Sequence, residues 1–447
     1  MTAPKDCATD ASTPVRANDP LPLRAANLLG DTLDALDTLG RRYDEGPRAS
    51  ASVRKQDGRP ARLVTKRERR KRERHAKTRV AFFRYSYYDI AFRFFVEHVL
   101  NAEFVCLPEA NRQTLERGAA QSNDFVCAPF KHILGNYMEA LDAGADVLVQ
   151  FTGPCRLGYY GELQESILRD MGYEFEMLNF AAIAGRPLKE YVRTCKKIVN
   201  PDLSVADGIK GMLVAFKMIE CLDAYNDRYL ERAGFGERAD VDKARAAFFE
   251  GMGQATTRHE VEAAFQAGIE DLEAATEPLP ESPIRIGIEA LHALPLRTDG
   301  CPVRVGIVGE YFTAVDPQSN LDVERKLLDM KVSLARAMNI TNRNIRYNEP
   351  ELRREVAEYV EYDTGPTSTL TIAAAKRYAE EGFDGIVHLK SSGCTPEIDC
   401  MPVLQRISRD YRIPVLFLSY DSQTSDTGLD TRLEAFYDMI AMRKAAR

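Results

Sequence analysis

Several features that would assign this chain to a common class are missing. It has no apolar run of about eighteen residues, so a transmembrane helix and a membrane partner are not expected. The first twenty residues, MTAPKDCATDASTPVRANDP, contain no apolar h-region of the kind that a secretory signal requires. The nine cysteines are spread too thinly for a disulfide framework. These absences predict a cytoplasmic protein whose thiols stay reduced or bind metal.

Two kinds of binding motif are also missing. Structural zinc sites usually take pairs of cysteines about two to four residues apart, and this chain has no such pair. The segment VGIVGEYF (305–312) holds two glycines but matches neither GxGxxG nor a Walker sequence. We therefore do not expect this chain to hydrolyse ATP itself.

The formal net charge of −7 conceals one strongly basic segment. Residues 53–79 hold thirteen Lys and Arg residues against three acidic residues. A solvated basic arm is the simpler interpretation, and a contact with nucleic acid or another anionic surface is the alternative, because clustered cations attract polyanions. The segment has no interleaved aromatic residues for base stacking, which makes nucleic acid the less favoured partner.

The patterning of apolar residues divides the chain into four segments. They are a disordered basic leader (1–78), a first α/β lobe (79–185), a helical linking subdomain (186–301) and a second α/β lobe (302–447). In each lobe apolar strands alternate with amphipathic helices, which is typical of parallel βαβ units. We therefore predict an α/β protein with two Rossmann-like parallel-sheet lobes and a helical insertion. Within the second lobe, residues 321–339 have helical spacing and are predicted as one helix.

Three cysteines stand where the chain enters a helix. The sequences ADVLVQFTGPC and FDGIVHLKSSGC each run from an apolar strand through a small-residue turn to Cys155 and Cys394. Cys127 directly precedes the helical pattern of APFKHILGN. Open α/β sheets bind ligands beyond the carboxyl ends of their strands, and a helix N-terminus stabilises a thiolate. A metal or iron–sulfur site is one interpretation, and buried inert thiols are the other.

The sequences around these cysteines resemble a known family. CAPFKHILGNYMEAL, GPCRLGYYGELQ, FDGIVHLKSSGCTPEI and TGLDTRLEAF occur in this order. Over residues 79–443 the chain resembles the 2-hydroxyacyl-CoA dehydratase component and activase-related family, which includes the double-cubane cluster proteins. The resemblance is weakest in the helical middle and does not cover the leader.

The resemblance implies a [4Fe–4S] cluster held between the lobes by Cys127, Cys155 and Cys394. It also implies an actin-like ATPase activase that acts in trans, transfer of low-potential electrons to a CoA thioester or another small substrate, and a dimer. A cluster-free component that binds acyl-CoA or the activase is the alternative function. A nucleic-acid-associated protein built around the basic leader is a third.

Two residues beside Cys155 are candidates for contact with the cofactor. Arg156 could offset the negative charge of a cluster or a phosphate, with a surface salt bridge as the alternative. Tyr159, like Tyr160, is expected to pack beside the cluster loop and limit solvent access.

Other polar residues receive simpler interpretations. Glu310 ends a strand and is a candidate for proton transfer. His388 is expected in the core, and Glu397 is expected to interact with the helix dipole. Cys106 and Cys400 are predicted to be packing residues.

Overall fold

Eight strands in the described residues form two four-stranded parallel sheets. The computed structural model describes residues 77–151, 160–180, 186–279, 302–362, 364–421, 424 and 426–446. The strands of the first sheet are β1 (Arg79–Phe82), β2 (Glu103–Phe104), β3 (Val147–Gln150) and β4 (Glu176–Asn179). Those of the second sheet are β5 (Arg304–Gly309), β6 (Ser333–Arg336), β7 (Gly385–Ser391) and β8 (Val415–Tyr420).

The two sheets have the same strand order. The first runs β2-β1-β3-β4 and the second runs β6-β5-β7-β8, with every neighbouring pair parallel. The order reverses between β1 and β3 and between β5 and β7, and open α/β sheets bind ligands at such a reversal. All seven residues of β7 are buried, as expected for a strand covered on both faces. The predicted α/β fold with two Rossmann-like sheets is confirmed.

Helices surround both sheets and fill the segment between them. Before β5, the helices are α1 (Asp89–Phe94), α2 (Arg112–Ala120), α3 (Ala128–Asp142), α4 (Tyr160–Asp170), α5 (Leu188–Ile198), α6 (Val205–Arg232), α7 (Arg238–Gln254) and α8 (Arg258–Ala274). After β5, they are α9 (Tyr311–Val315), α10 (Pro317–Asn320), α11 (Val323–Asp329), α12 (Glu349–Glu355), α13 (Pro366–Glu380), α14 (Thr395–Asp410) and α15 (Thr427–Ala445). The segment predicted as the linking subdomain is thus helical from α5 to α8.

The prediction of a single helix over residues 321–339 is wrong. The chain forms α11, turns at Lys331 with a positive φ of 59°, and continues as strand β6. β6 pairs with β5 in the register Arg304–Ser333. Its short sequence has helical spacing of apolar residues, and only this pairing with a distant strand makes it extended.

One hydrophobic core extends from the first sheet, through the helices that follow it, to one face of the second sheet. Tyr85, just after β1, stacks on Phe312, just after β5, with ring centroids 5.3 Å apart. The Tyr85 hydroxyl also donates a hydrogen bond to the Tyr311 carbonyl at 2.8 Å. A second, smaller core packs α11 and α15 against the opposite face of the second sheet. The carboxyl ends of β1 and β5 therefore lie side by side.

Some predictions concern residues outside the described part of the chain. The leader lies almost entirely within residues 1–76, which are outside it. The boundaries of the four segments stay predictions. Among the described residues, no helix combines the length and the hydropathy needed to cross a bilayer.

Candidate functional site

Cys127 is the residue directly before α3. Pro129 lies in the first turn of this helix, where its missing N–H group costs no hydrogen bond and its fixed φ suits the helix. The Cys127 side chain is half-buried, and its Sγ contacts the hydroxyl of Tyr160, the first residue of α4. The thiol therefore lies at the helix entrance and not inside the core.

Cys394 has the same position before α14. Pro396 occupies the first turn, and the Cys394 amide donates to the carbonyl of Ser391 at 3.0 Å, which closes the turn after β7. The side chain is again half-buried. The sequences CAP and CTP thus place two thiols at the N-termini of long helices, where the helix dipole favours negative charge.

The two helix starts meet between the sheets. The Ala128 amide donates to the Oγ of Ser391 at 2.8 Å, and both residues are buried. A Cβ built on Gly393 would lie 3.0 Å from the Phe125 carbonyl oxygen and 3.8 Å from the Cα of Cys127. Only a residue without a side chain allows this approach at no steric cost. The structure therefore brings the turn of Cys394 against the turn of Cys127.

The third predicted ligand, Cys155, lies outside the described residues, as do Arg156 and Tyr159. The strand that leads to Cys155 is described: β3 has the same place in the first sheet that β7 has in the second. On the other side of this segment, Tyr160 contacts the Cys127 thiol, and its ring packs edge-on against Phe130 at 5.2 Å. Tyr160 thus lies beside the candidate site.

The half-buried Cys394 thiol has negatively charged groups nearby. Burial raises the pKa of its thiol, and Glu310, Glu397 and Cys127 raise it further because each disfavours another negative charge. Such a thiol stays protonated at neutral pH until a bound cation or cluster replaces the proton. A metal ion or cluster bound by this thiol would therefore have to displace its proton.

Glu310, the candidate for proton transfer, caps the short helix α9. Its carboxylate accepts hydrogen bonds from the amides of Phe312 and Thr313 at 3.0 and 2.8 Å, and from the Thr313 hydroxyl at 2.7 Å. Burial nevertheless raises the pKa of Glu310, and the nearby Glu397 raises it further. The carboxylate is thus held in place by the chain itself, and its role in proton transfer stays a prediction.

A buried polar cluster behind Cys394 was missed by sequence analysis. Nε2 of His388 lies 2.8 Å from Oε2 of Glu397, and the Cys400 Sγ lies 3.4 Å from this oxygen and 3.8 Å from the imidazole nitrogen. All three side chains are fully buried. We name them the His388–Glu397–Cys400 cluster. One feature of the sequence could have indicated it: Glu397 and Cys400 are three residues apart and so share a face of α14.

These contacts extend the earlier interpretations of the three residues. His388 lies in the core, as expected. Glu397 lies in the first turn of α14, as the dipole interpretation requires, but its carboxylate is also bound to His388. Cys400 is buried as a packing residue would be, yet its sulfur contacts polar groups. Burial, followed by the charge of Glu397, raises the pKa of the Cys400 thiol.

The other described cysteines differ in burial. Cys195 on α5 and Cys221 on α6 are buried, and burial raises the pKa of Cys195 to about 12. Cys106 is exposed, so its prediction as a packing residue is wrong. Cys7 and Cys301 lie outside the described residues.

The fold and this site define a class of protein: two parallel α/β sheets with cysteine-bearing helix starts that meet at their carboxyl edges. The family resemblance is supported independently in the second sheet, since residues 307–440 match the family of the 2-hydroxyglutaryl-CoA dehydratase, D-component. The match covers less than a third of the chain and includes Cys394 and the His388–Glu397–Cys400 cluster. A comparison with curated proteins finds no match for the chain. The recognition of a dehydratase-component family from the sequence is confirmed over this region.

Proposed function

We propose that the protein is the iron–sulfur component of a system of the 2-hydroxyacyl-CoA dehydratase type. In this proposal Cys127, Cys155 and Cys394 hold a [4Fe–4S] cluster in a reducing, cytoplasmic compartment. A separate actin-like ATPase supplies low-potential electrons, and a CoA thioester is the substrate. When bound, such a cluster supplies one-electron chemistry and an iron without a protein ligand.

The contact between the two helix starts is the observation that carries this proposal. Cys127 and Cys394 come from different sheets, and the Ala128–Ser391 hydrogen bond holds their turns together. Thiolates are the preferred ligands of iron–sulfur clusters, and remote loops can assemble such a set without any local spacing motif. The donor chemistry of the described residues therefore fits the cluster that the family resemblance implies.

The residues around the thiols have supporting roles in this proposal. Cys127 and Cys394 stand at the N-termini of α3 and α14, and the dipoles of these helices would stabilise the negative charge of the thiolates. The Tyr160 hydroxyl contacts the Cys127 sulfur and would donate a hydrogen bond to the thiolate. Hydrogen bonds of this kind tune the potential of a bound cluster.

Exposed apolar side chains beside the thiols offer a surface on which the proposed partner ATPase could dock. Phe125, two residues before Cys127, is 92% exposed, and Ile398, in the first turns of α14, is 45% exposed. Aromatic residues are enriched in protein–protein interfaces. A partner bound over these side chains would deliver electrons close to Cys127 and Cys394. The dimer implied by the resemblance stays a prediction.

The test is the iron and sulfide content of anaerobically purified or reconstituted full-length protein. We expect one [4Fe–4S] cluster per chain in the wild type and loss of most of the iron in each of Cys127→Ala, Cys155→Ala and Cys394→Ala. Cys195→Ala is the matched control, because it removes a buried thiol on α5 and should keep the cluster. A folded wild type that takes up no iron and sulfide would contradict the proposal and favour the cluster-free binding component.

A further inference from the structure

The His388–Glu397–Cys400 cluster places three kinds of metal-binding atom around one point. An imidazole nitrogen, a carboxylate oxygen and a thiol sulfur all lie within 4.8 Å of one another. The cluster is distinct from the proposed iron–sulfur site, because its side chains are fully buried in the core between β7 and α14. No step of the proposed function uses these three residues.

The distances between these atoms are close to those around a tetrahedral zinc ion. Bond lengths of about 2.0–2.1 Å to nitrogen or oxygen and about 2.3 Å to sulfur give ligand–ligand separations of roughly 3.3–3.6 Å. The two separations that involve the Cys400 sulfur are 3.4 and 3.8 Å. The separation between His388 and Glu397 is 2.8 Å, so these two side chains need to open by about half an ångström.

Charge balance favours a divalent cation in this dry location. A carboxylate and a thiolate carry two negative charges, which one divalent ion neutralises while the imidazole stays neutral. Burial of an uncompensated charge is costly, whereas a charge that binds a metal is compensated. The mixed nitrogen, oxygen and sulfur donors suit zinc, which accepts all three.

Glu397 is also held in place from its other side. The Thr371 hydroxyl lies 3.3 Å from Oε1 of Glu397 and 3.3 Å from the Gly309 carbonyl oxygen. Outer partners of this kind orient the residues that bind a metal. Glu397 thus offers two carboxylate oxygens, one facing His388 and Cys400 and the other supported by Thr371.

We propose that His388, Glu397 and Cys400 form a mononuclear zinc site that links strand β7 to helix α14. His388 lies on the strand, whereas Glu397 and Cys400 lie on the helix. The turn between these two elements carries Ser391, Gly393 and Cys394. A metal bound behind the turn would therefore fix the position of Cys394 without taking part in electron transfer.

Cobalt binding tests this proposal, because tetrahedral Co²⁺ gives visible absorption and its bond to a thiolate gives a separate charge-transfer band. The experiment uses full-length protein with Cys127, Cys155 and Cys394 all changed to Ala, treated with a chelator and titrated with Co²⁺ alone. With a water molecule as the fourth ligand beside the three protein ligands, we expect about one Co²⁺ per chain in a tetrahedral environment that includes one thiolate, and displacement by Zn²⁺.

Single changes in this background identify the ligands. Cys400→Ser should abolish the charge-transfer band, and His388→Gln should strongly weaken binding. Thr371→Val should weaken it by about 10–100-fold, with partial rescue in Thr371→Ser, since Thr371 orients Glu397. Cys195→Ala is the matched control for loss of a buried thiol and should bind Co²⁺ normally.

Two results would overturn the proposal. The first is that the triple-alanine variant is folded, as judged by circular dichroism, but binds no Co²⁺. The His388–Glu397–Cys400 cluster would then be a hydrogen-bonded network without a metal. The other is a thiolate–cobalt band that persists in Cys400→Ser. The cobalt result does not depend on the iron–sulfur proposal. That proposal is tested separately, by the iron content of the wild type and of its single cysteine variants.

Discussion

The Ala128 amide donates a buried hydrogen bond to the Ser391 hydroxyl at 2.8 Å, although the two residues are 263 positions apart in the sequence. Ala128 begins helix α3 of the first sheet, and Ser391 ends strand β7 of the second. Each is a near neighbour in the chain of a proposed cluster ligand, Cys127 or Cys394. This bond therefore couples the geometry of the proposed site to the way the two sheets pack.

Removal of this bond should weaken both the fold and the site. Ser391→Ala leaves the buried Ala128 amide without its acceptor, which we expect to lower the free energy of unfolding by about 1–3 kcal/mol. We also expect lower iron retention under anaerobic conditions. Urea unfolding and iron analysis measure the two effects. Ser392→Ala changes the exposed neighbouring serine and is the control, which should match the wild type.

Gly309 should not tolerate a side chain. Its φ is +142°, and an added Cβ would lie 1.9 Å from the Leu389 carbonyl oxygen. Gly382 also has a positive φ, +70°, but a Cβ there would meet nothing within 4 Å. We expect Gly382→Ala to cost about 1–2 kcal/mol from backbone strain alone. Gly309→Ala should lower the free energy of unfolding by clearly more than this, or prevent folding. If urea unfolding gives the same loss for both variants, the close approach of Gly309 to Leu389 does not matter for stability.

The hydroxyl of Tyr160 should tune the proposed cluster. Tyr160→Phe keeps the ring against Phe130 but removes the group that contacts the Cys127 sulfur. Loss of a hydrogen bond to a ligand sulfur leaves more negative charge on the cluster, so we expect a lower reduction potential with iron content unchanged. Redox titration of the reconstituted protein measures this shift. Tyr173→Phe is the control, because it removes a hydroxyl that is hydrogen-bonded to Asp142. The reduction potential of the cluster in this variant should equal that of the wild type.

His132 should make stability fall in acid. Burial lowers its pKa from 6.5 to about 4, so the folded protein holds this imidazole neutral while the unfolded chain binds a proton. The contribution of the neutral His132 to the free energy of unfolding is fully present above about pH 6.5 and is lost as the pH falls toward 4. Between about pH 7.5 and about pH 5 we expect a loss of about 2 kcal/mol from this residue.

The contribution of His132 can be separated from those of other titrating groups. Unfolding free energies of the wild type and His132→Gln are compared across the same pH range, and the variant should show the smaller acid-dependent loss. His98→Gln is the control, because His98 is exposed. If the variant and the wild type lose the same stability in acid, His132 is not held neutral by burial.

Much of the fold follows from local patterns in the sequence. The strand-like runs that became β1, β3, β5 and β7 alternate with amphipathic segments, and their order predicts parallel sheets. Strand β6 was missed because its apolar spacing also fits a helix and only its pairing with β5 decides between them. Cys127 and Cys394 were predicted as candidate ligands because each stands where the chain enters a helical pattern, and the structure places each directly before a helix.

The sequence by itself determined the alternation of strands and helices and the position of cysteines at helix starts, because these depend on neighbours within a few residues. Only the tertiary structure decided that Ser391 meets Ala128, that Gly393 lies against Cys127, and that His388 joins Glu397 and Cys400 in the core. These contacts depend on how two sheets pack and on which face of a fully buried strand meets a helix. The sequence does not reveal these contacts through a periodic pattern. Every residue of β7 is buried, on both faces of the strand, so hydrophobicity does not show which residues face α14.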